Sequence, residues 1–158
     1  MGSEPIRRIL VATDFSEVAD EALSDAGVLA EKLGAELVLV HAHTSISDPA
    51  FGDLPPEMRT YAEGLRSRLQ RETADATALL AARALRLPEG VRVQTKMLVG
   101  RPGDAIVDEA RQCAAGLVVL GTHGRGAVGR AILGSVAHEV LRAAPCPVLL
   151  IGPHAERG

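Results

Sequence analysis

The sequence has no tryptophan, and aromatic residues make up only 2% of its 158 positions. Proteins that grip single-stranded nucleic acid stack its bases on aromatic side chains, so a surface of that kind is excluded. Basic charge is short as well: 17 Lys and Arg face 20 Asp and Glu, a net charge of −3, which leaves no electrostatic footprint for a duplex. Two cysteines, Cys113 and Cys146, are too few for a disulfide framework. No apolar run approaches the roughly 18 residues of a membrane span. The opening residues, Met1-Gly2-Ser3-Glu4-Pro5-Ile6-Arg7-Arg8, contain no apolar core of a signal peptide. The expectation is a cytoplasmic protein with neither a nucleic acid nor a membrane as partner.

What is plentiful is Ala, Leu and Val, which dominate an apolar share of 47%. That length and balance suit one globular α/β domain over residues 1–158. Short all-apolar runs at 9–12, 37–40, 117–120 and 148–151 read as buried parallel strands. Residues 91–97 alternate apolar and polar, as a half-exposed edge strand does. Between the first two strands Ser16 can cap a helix whose Ala19, Ala22, Leu23, Ala26, Leu29, Ala30 and Leu33 repeat at three and four, with Gly34 as its left-handed end. Residues 44–56, with Pro49, Gly52, Pro55 and Pro56, read as a mobile loop. A long amphipathic helix is expected over 57–87 through Met58, Leu65, Leu69, Ala76, Leu79, Leu80 and Leu85. A shorter one follows Gly100, with Ile106, Val107, Ala110 and Ala114 on one face, and the last runs over 135–142. The expected fold is therefore a single-domain, five-stranded, parallel doubly wound sheet with four helices. Ligands of such sheets bind beyond the carboxyl ends of the strands, where the strand order reverses.

Glycines begin where the run 117–120 stops: Gly121, Gly124, Gly126, Gly129 and Gly134. Glycine serves where the backbone must approach a ligand closely, and successive N–H groups in such turns form a concavity for anions. Ser135 is a good N-cap for the helix that follows, and the N–H groups of that first turn, Val136 included, attract phosphate. The segment is a phosphate cradle rather than a P-loop, whose lysine is missing. Gly124-Arg125-Gly126-Ala127-Val128-Gly129 matches G-x-G-x-x-G literally, but no acidic residue stands about 20 positions on. Arg125 and Arg130 add charge against phosphate or are solvated loop cations; the residues leave this open. His123, inside the cradle, is a candidate ligand contact. His41 and His43 share one face of a strand, but no third ligand at a metal-site spacing accompanies them, and no metal site of protein ligands is expected. Ser135 lies outside a G-x-S-x-G elbow, and no catalytic residue is assigned.

The spacing Gly121-x2-Gly124-x9-Gly134-Ser135 resembles the nucleotide-binding signature of the universal stress protein family, in its ATP-binding type. Arg8-Ile-Leu-Val-Ala-Thr-Asp14-Phe-Ser, Gly34-Ala-Glu-Leu-Val-Leu-Val-His41 and Ala144-Pro-Cys-Pro-Val-Leu-Leu-Ile151 extend the likeness, which leaves out only residues 44–91 or so. The resemblance implies a Rossmann-like strand order 3-2-1-4-5, ATP as cofactor with Mg2+ held at most through the phosphates, and contact with the nucleotide from Asp14. Ala12 and Thr13 would line the same crevice and Ala42 would lie near the base. It also implies a homodimer paired through residues 148–151, which would cover an otherwise exposed hydrophobic edge. The expected role is a stress-linked nucleotide-dependent switch or sensor with slow or absent hydrolysis, serving an unidentified protein partner. A nucleotide-independent interaction module of the same fold and a true ATP-hydrolysing enzyme are the alternatives.

Overall fold

Apolar side chains on both faces of a short strand demand a layer of helices on each side, and the sequence supplies them in alternation. In the computed structural model, which describes residues 5–43, 55–124 and 133–153, the strands are β1 (Arg8–Ala12), β2 (Glu36–His43), β3 (Val93–Val99), β4 (Leu117–Gly121) and β5 (Val148–Ile151). The helices are α1 (Glu17–Leu33), α2 (Pro56–Ala84), α3 (Pro102–Gln112) and α4 (Ser135–Ala143). All strand pairs are parallel and their order is β3-β2-β1-β4-β5, as expected. The chain winds outward from β1 to β3 in one direction and from β4 to β5 in the other. The order therefore reverses between β1 and β4.

Strand alternation divides the core in two. Ile9, Val11, Leu37, Leu39 and Val119 pack with Ala22, Ala26 and Ala30 of α1 and Leu80 of α2. Leu10, Val38, Val40, Val118 and Leu120 pack with Ile106, Val107 and Ala110 of α3 and Ala137 and Val140 of α4. Each fully buried Leu, Ile or Val side chain contributes about 1.5–3 kcal/mol of hydrophobic stabilisation.

At the start of α1 the Ser16 hydroxyl accepts a hydrogen bond from the Ala19 N–H at 3.2 Å. At its end Gly34 takes φ 64°, a left-handed conformation that satisfies helix carbonyls through its N–H. Leu33 departs from the expected face and is 50% exposed. The helix α2 is less amphipathic than its sequence suggests: only Ala62 and Leu80 are buried, while Met58 and Leu85 stand in solvent. It starts at Pro56, where the fixed φ of proline suits a first turn, and ends three residues earlier than expected. Polar contacts help hold its C-terminal part, for the Arg83 guanidinium donates to both Asp20 carboxylate oxygens of α1, at 3.0 and 3.2 Å.

The third strand is shifted two residues along the chain, to Val93–Val99, and occupies the sheet edge as expected. Ala114 leaves the apolar face of α3 because the helix stops at Gln112, and it takes φ 51° in the turn to β4. The loop expected at 44–56 lies, but for Pro55 and Pro56, outside the described residues. Among the described residues no helix is long and apolar enough to cross a membrane.

Candidate functional site

The carboxyl ends of β1 and β4 lie side by side at the point of reversal, and the chain leaves both in tight, side-chain-braced turns. After β1, the Thr13 hydroxyl accepts from the Phe15 N–H and the Asp14 carboxylate accepts from the Ser16 N–H, both at 3.0 Å. These short-range bonds fold the backbone back on itself and leave Phe15 at φ 65°, a left-handed conformation that an aromatic residue seldom adopts. The Phe15 ring has two neighbours: its centroid lies 4.5 Å from that of His41, and the Arg83 guanidinium carbon lies 5.3 Å from it. His41 in turn donates from Nδ1 to the Thr13 carbonyl at 2.8 Å.

After β4 the glycines fit for steric reasons. A Cβ on Gly124 would run into the end of the Asp14 carboxylate, so a side chain there would require the carboxylate to move. A Cβ on Gly121 would sit 2.9 Å from Val18 Cγ1. Gly134 donates its N–H to the Thr122 carbonyl at 2.7 Å, and a Cβ there would lie 3.3 Å from both that oxygen and His123 Cα. The two ends of the glycine-rich segment are thereby tied together beside Asp14. His123 Nδ1 lies 2.9 Å from the Thr122 hydroxyl.

The cap of α4 differs from expectation: Gly134 is the N-cap and Ser135 the first helical residue. With glycine at the cap, there is no side-chain cap hydrogen bond to the first turn among the described residues. The N–H groups of Ser135 and Val136 have no acceptor within the helix, and the helix dipole adds positive potential there.

These turns rim a cleft of about 1160 Å³, somewhat larger than most small-molecule sites. Ala12, Thr13, Asp14, Ala42, Gly121, His123, Gly124, Gly134, Ser135 and Val136 all line it, so the separated sequence candidates meet in one place. Arg125 and Arg130 lie outside the described residues. Sequence reasoning missed an entire wall, namely Leu69, Glu72, Thr73, Asp75, Ala76 and Leu79 of α2, together with Phe15 and Met97. His41 and His43, which share one face of β2, also line the cleft. No lysine or arginine is among the described lining residues, whereas Asp14, Glu72 and Asp75 bring carboxylates. Among the described residues, attraction for an anion at this end of α4 is offered by the backbone N–H groups of its first turn. No cluster of three or more metal-ligating side chains occurs among the described residues.

Both cysteines are free and half-buried. Burial, and secondarily the Glu109 carboxylate, pushes the Cys113 thiol above its ordinary range. Burial, then the neighbouring Cys113, does the same for Cys146. Neither thiol is the activated kind that nucleophilic catalysis requires.

A doubly wound parallel sheet with a glycine-rimmed cleft at its point of reversal defines an α/β fold of the Rossmann-like class. The family model for the universal stress protein family matches residues 5–152, and the chain belongs to that family. A curated universal stress protein of Thermus aquaticus is 37% identical over 145 residues, 92% of this chain and 98% of the relative. Among solved structures, a universal stress protein in complex with cAMP is 25% identical with a TM-score of 0.59, the match covering 94% of this chain and 98% of the other. The universal stress protein of Archaeoglobus fulgidus in complex with dAMP is likewise 25% identical, with a TM-score of 0.56 and coverage of 93% and 98%.

Proposed function

We propose that this chain binds ATP in the cleft between β1 and β4 and acts as a stress-linked nucleotide-dependent switch or sensor in the cytoplasm, with hydrolysis slow or absent. The observation that carries this reading is the start of α4 on the cleft: Gly134 caps it without a side-chain hydrogen bond, and Ser135 and Val136 open its first turn beside Gly121 and Gly124. Two relatives of the same fold hold cAMP and dAMP, which supports an adenine nucleotide as the ligand class.

In this reading the N–H groups of Ser135 and Val136 and the Ser135 hydroxyl receive the phosphates, with Gly121, Gly124 and Gly134 beside them. Asp14 accepts from the ribose hydroxyls, His123 flanks the phosphates, and the base lies toward Ala42, with Ala12 and Thr13 on the cleft floor. Arg125 would add charge to the phosphates. Mg2+ would be held through the phosphates, since the described residues offer no cage of their own. Phosphoryl transfer needs a group that positions the attacking water and cations that clamp the transferring charge. No described cleft residue is a lysine or arginine, and this supports binding over rapid turnover. The whole chain serves as one domain, and two copies pair through β5.

Calorimetric titration of ATP with magnesium tests the reading, with AMP as comparator. The wild type is expected to bind at around micromolar, about 8 kcal/mol, and the double variant Ser135→Ala, Gly134→Val to bind at least tenfold more weakly, about 1.4 kcal/mol. A folded, nucleotide-stripped wild type that takes up no nucleotide would favour the interaction-module alternative.

A further inference from the structure

The chain leaves β3 in a turn anchored at the cleft. The Gly100 N–H donates to the His43 carbonyl at 3.1 Å, and Gly100 takes φ 132°, a conformation that L side chains rarely adopt. Pro102 then opens α3. His43 and Pro102 both line the cleft, so the backbone of Arg101, the N-cap of α3, stands at the rim between them. Its side chain is folded back: the guanidinium donates to Glu139 Oε1 of α4 at 3.1 Å and lies 3.9 Å from Asp104 Oδ2 of α3. Glu139 follows Ser135 by four residues, about 6 Å further along the same face of the helix. The guanidinium is thus parked one turn behind the residues that receive phosphate in the reading above. The parking is weak, for the Arg101 side chain is 72% exposed and exposed ion pairs contribute little. Glu139 has a second anchor in any case: its Oε2 packs on Gly103, where a Cβ would stand, in the first turn of α3, whose dipole favours a carboxylate.

We propose that Arg101 is a further ligand-binding residue of the cleft: when a nucleotide is bound, its guanidinium leaves Glu139 and donates to phosphate oxygens at the start of α4. The proposal rests on the nucleotide-binding reading above. Charge balance and position carry it together. Two backbone N–H groups and one hydroxyl are few donors for the phosphates of ATP, and no lysine or arginine is among the described lining residues. Arg101 combines a backbone fixed at the rim with a long side chain whose present partners are exposed and exchangeable. A guanidinium–phosphate contact is charged on both sides and can be bidentate, so it outweighs the exposed carboxylate pair it replaces. In this arrangement Glu139 competes with the ligand for Arg101.

The test follows amide and arginine Nε–Hε chemical shifts, which read weak as well as tight binding, while ATP or adenosine, which has no phosphate, is titrated. In the wild type the Arg101 Nε–Hε resonance should move with ATP and stay in place with adenosine. Arg101→Gln should bind ATP about tenfold more weakly and adenosine within about twofold of wild type, and Arg101→Lys, which keeps the charge, should recover part of the loss. Glu139→Gln should bind ATP about threefold more tightly, because the competing carboxylate is gone. That gain should vanish in the Arg101→Gln background, which a merely structural ion pair would not produce. The Tm of each nucleotide-free variant should stay near that of wild type, since the pair is exposed. An Arg101→Gln variant that binds ATP as tightly as wild type, or that loses ATP and adenosine alike, would overturn the proposal. So would a Glu139→Gln variant that binds ATP more weakly, or a gain that persists without Arg101. Wild type that binds no ATP would overturn the underlying reading, an outcome distinct from these.

Discussion

A Cβ at Gly124 would meet the end of the Asp14 carboxylate. Gly124→Ala should therefore displace that carboxylate and weaken ATP binding about tenfold, measured by calorimetry, while the far-ultraviolet circular dichroism stays unchanged. Equal affinity in the variant would separate Gly124 from the site. The two thiols make a second prediction at this scale. Because burial raises both, they stay protonated in the folded protein at a pH where the unfolded chain has begun to ionise. Their contribution to stability is present below the unfolded thiol pKa, roughly 8.5, and is lost as pH rises through the folded values. Iodoacetamide should label native Cys113 and Cys146 more slowly at pH 8 than it labels the denatured chain, and the Cys113→Ala, Cys146→Ala variant should lose less stability between pH 8 and pH 10. Among single residues, those tied to backbone geometry were legible in the sequence: Gly121, Gly124 and Gly134 announce a close approach because glycine has few other uses at a strand end. Phe15 was not, because nothing local to it predicts a left-handed backbone.

Helix boundaries obey local chemistry where a cap is present and drift where none is. Ser16 and Gly34 bracket α1 as the sequence foretold, and Ser16→Ala should cost about 1 kcal/mol in urea unfolding through loss of its bond to the Ala19 N–H. No change would mean that Asp14 alone holds that turn. The helix α2 has no side-chain cap at its start, and Pro55 stands there instead. Its apolar residues read as one face, but so few elements pack against it that only Leu80 meets the core fully. Leu80→Ala should cost about 2–5 kcal/mol, whereas Met58→Ala and Leu85→Ala should fall within about 0.5 kcal/mol of wild type. Periodicity reports what a helix could bury, and tertiary contact decides what it does bury. The same limit hid the α2 wall of the cleft, since Glu72, Thr73 and Asp75 carry no local signal that a ligand site lies beneath them.

At the scale of the whole molecule the topology was readable because it follows from few rules. Short apolar runs alternating with helices allow a parallel doubly wound sheet, and that sheet has one place where its order reverses. The strand β5 ends the sheet, and its four residues are half-buried rather than covered. An unpaired hydrophobic edge invites a partner strand. Sedimentation equilibrium at micromolar concentration should accordingly give a dimer, and Leu150→Pro, which removes a backbone donor from that edge, should give a monomer. A monomeric wild type would refute pairing through β5. The central proposal is that phosphate meets the protein at the start of α4, on the cleft that Asp14 also lines. Amide chemical-shift mapping of the isotopically labelled protein during titration with ATP and magnesium tests this most directly. The account predicts that the largest shifts fall on Asp14, Gly121, Gly124, Ser135 and Val136, and that the outer half of α2 is unmoved. Shifts confined to β3 or the outer surface of α1, or none at saturating ATP, would contradict it.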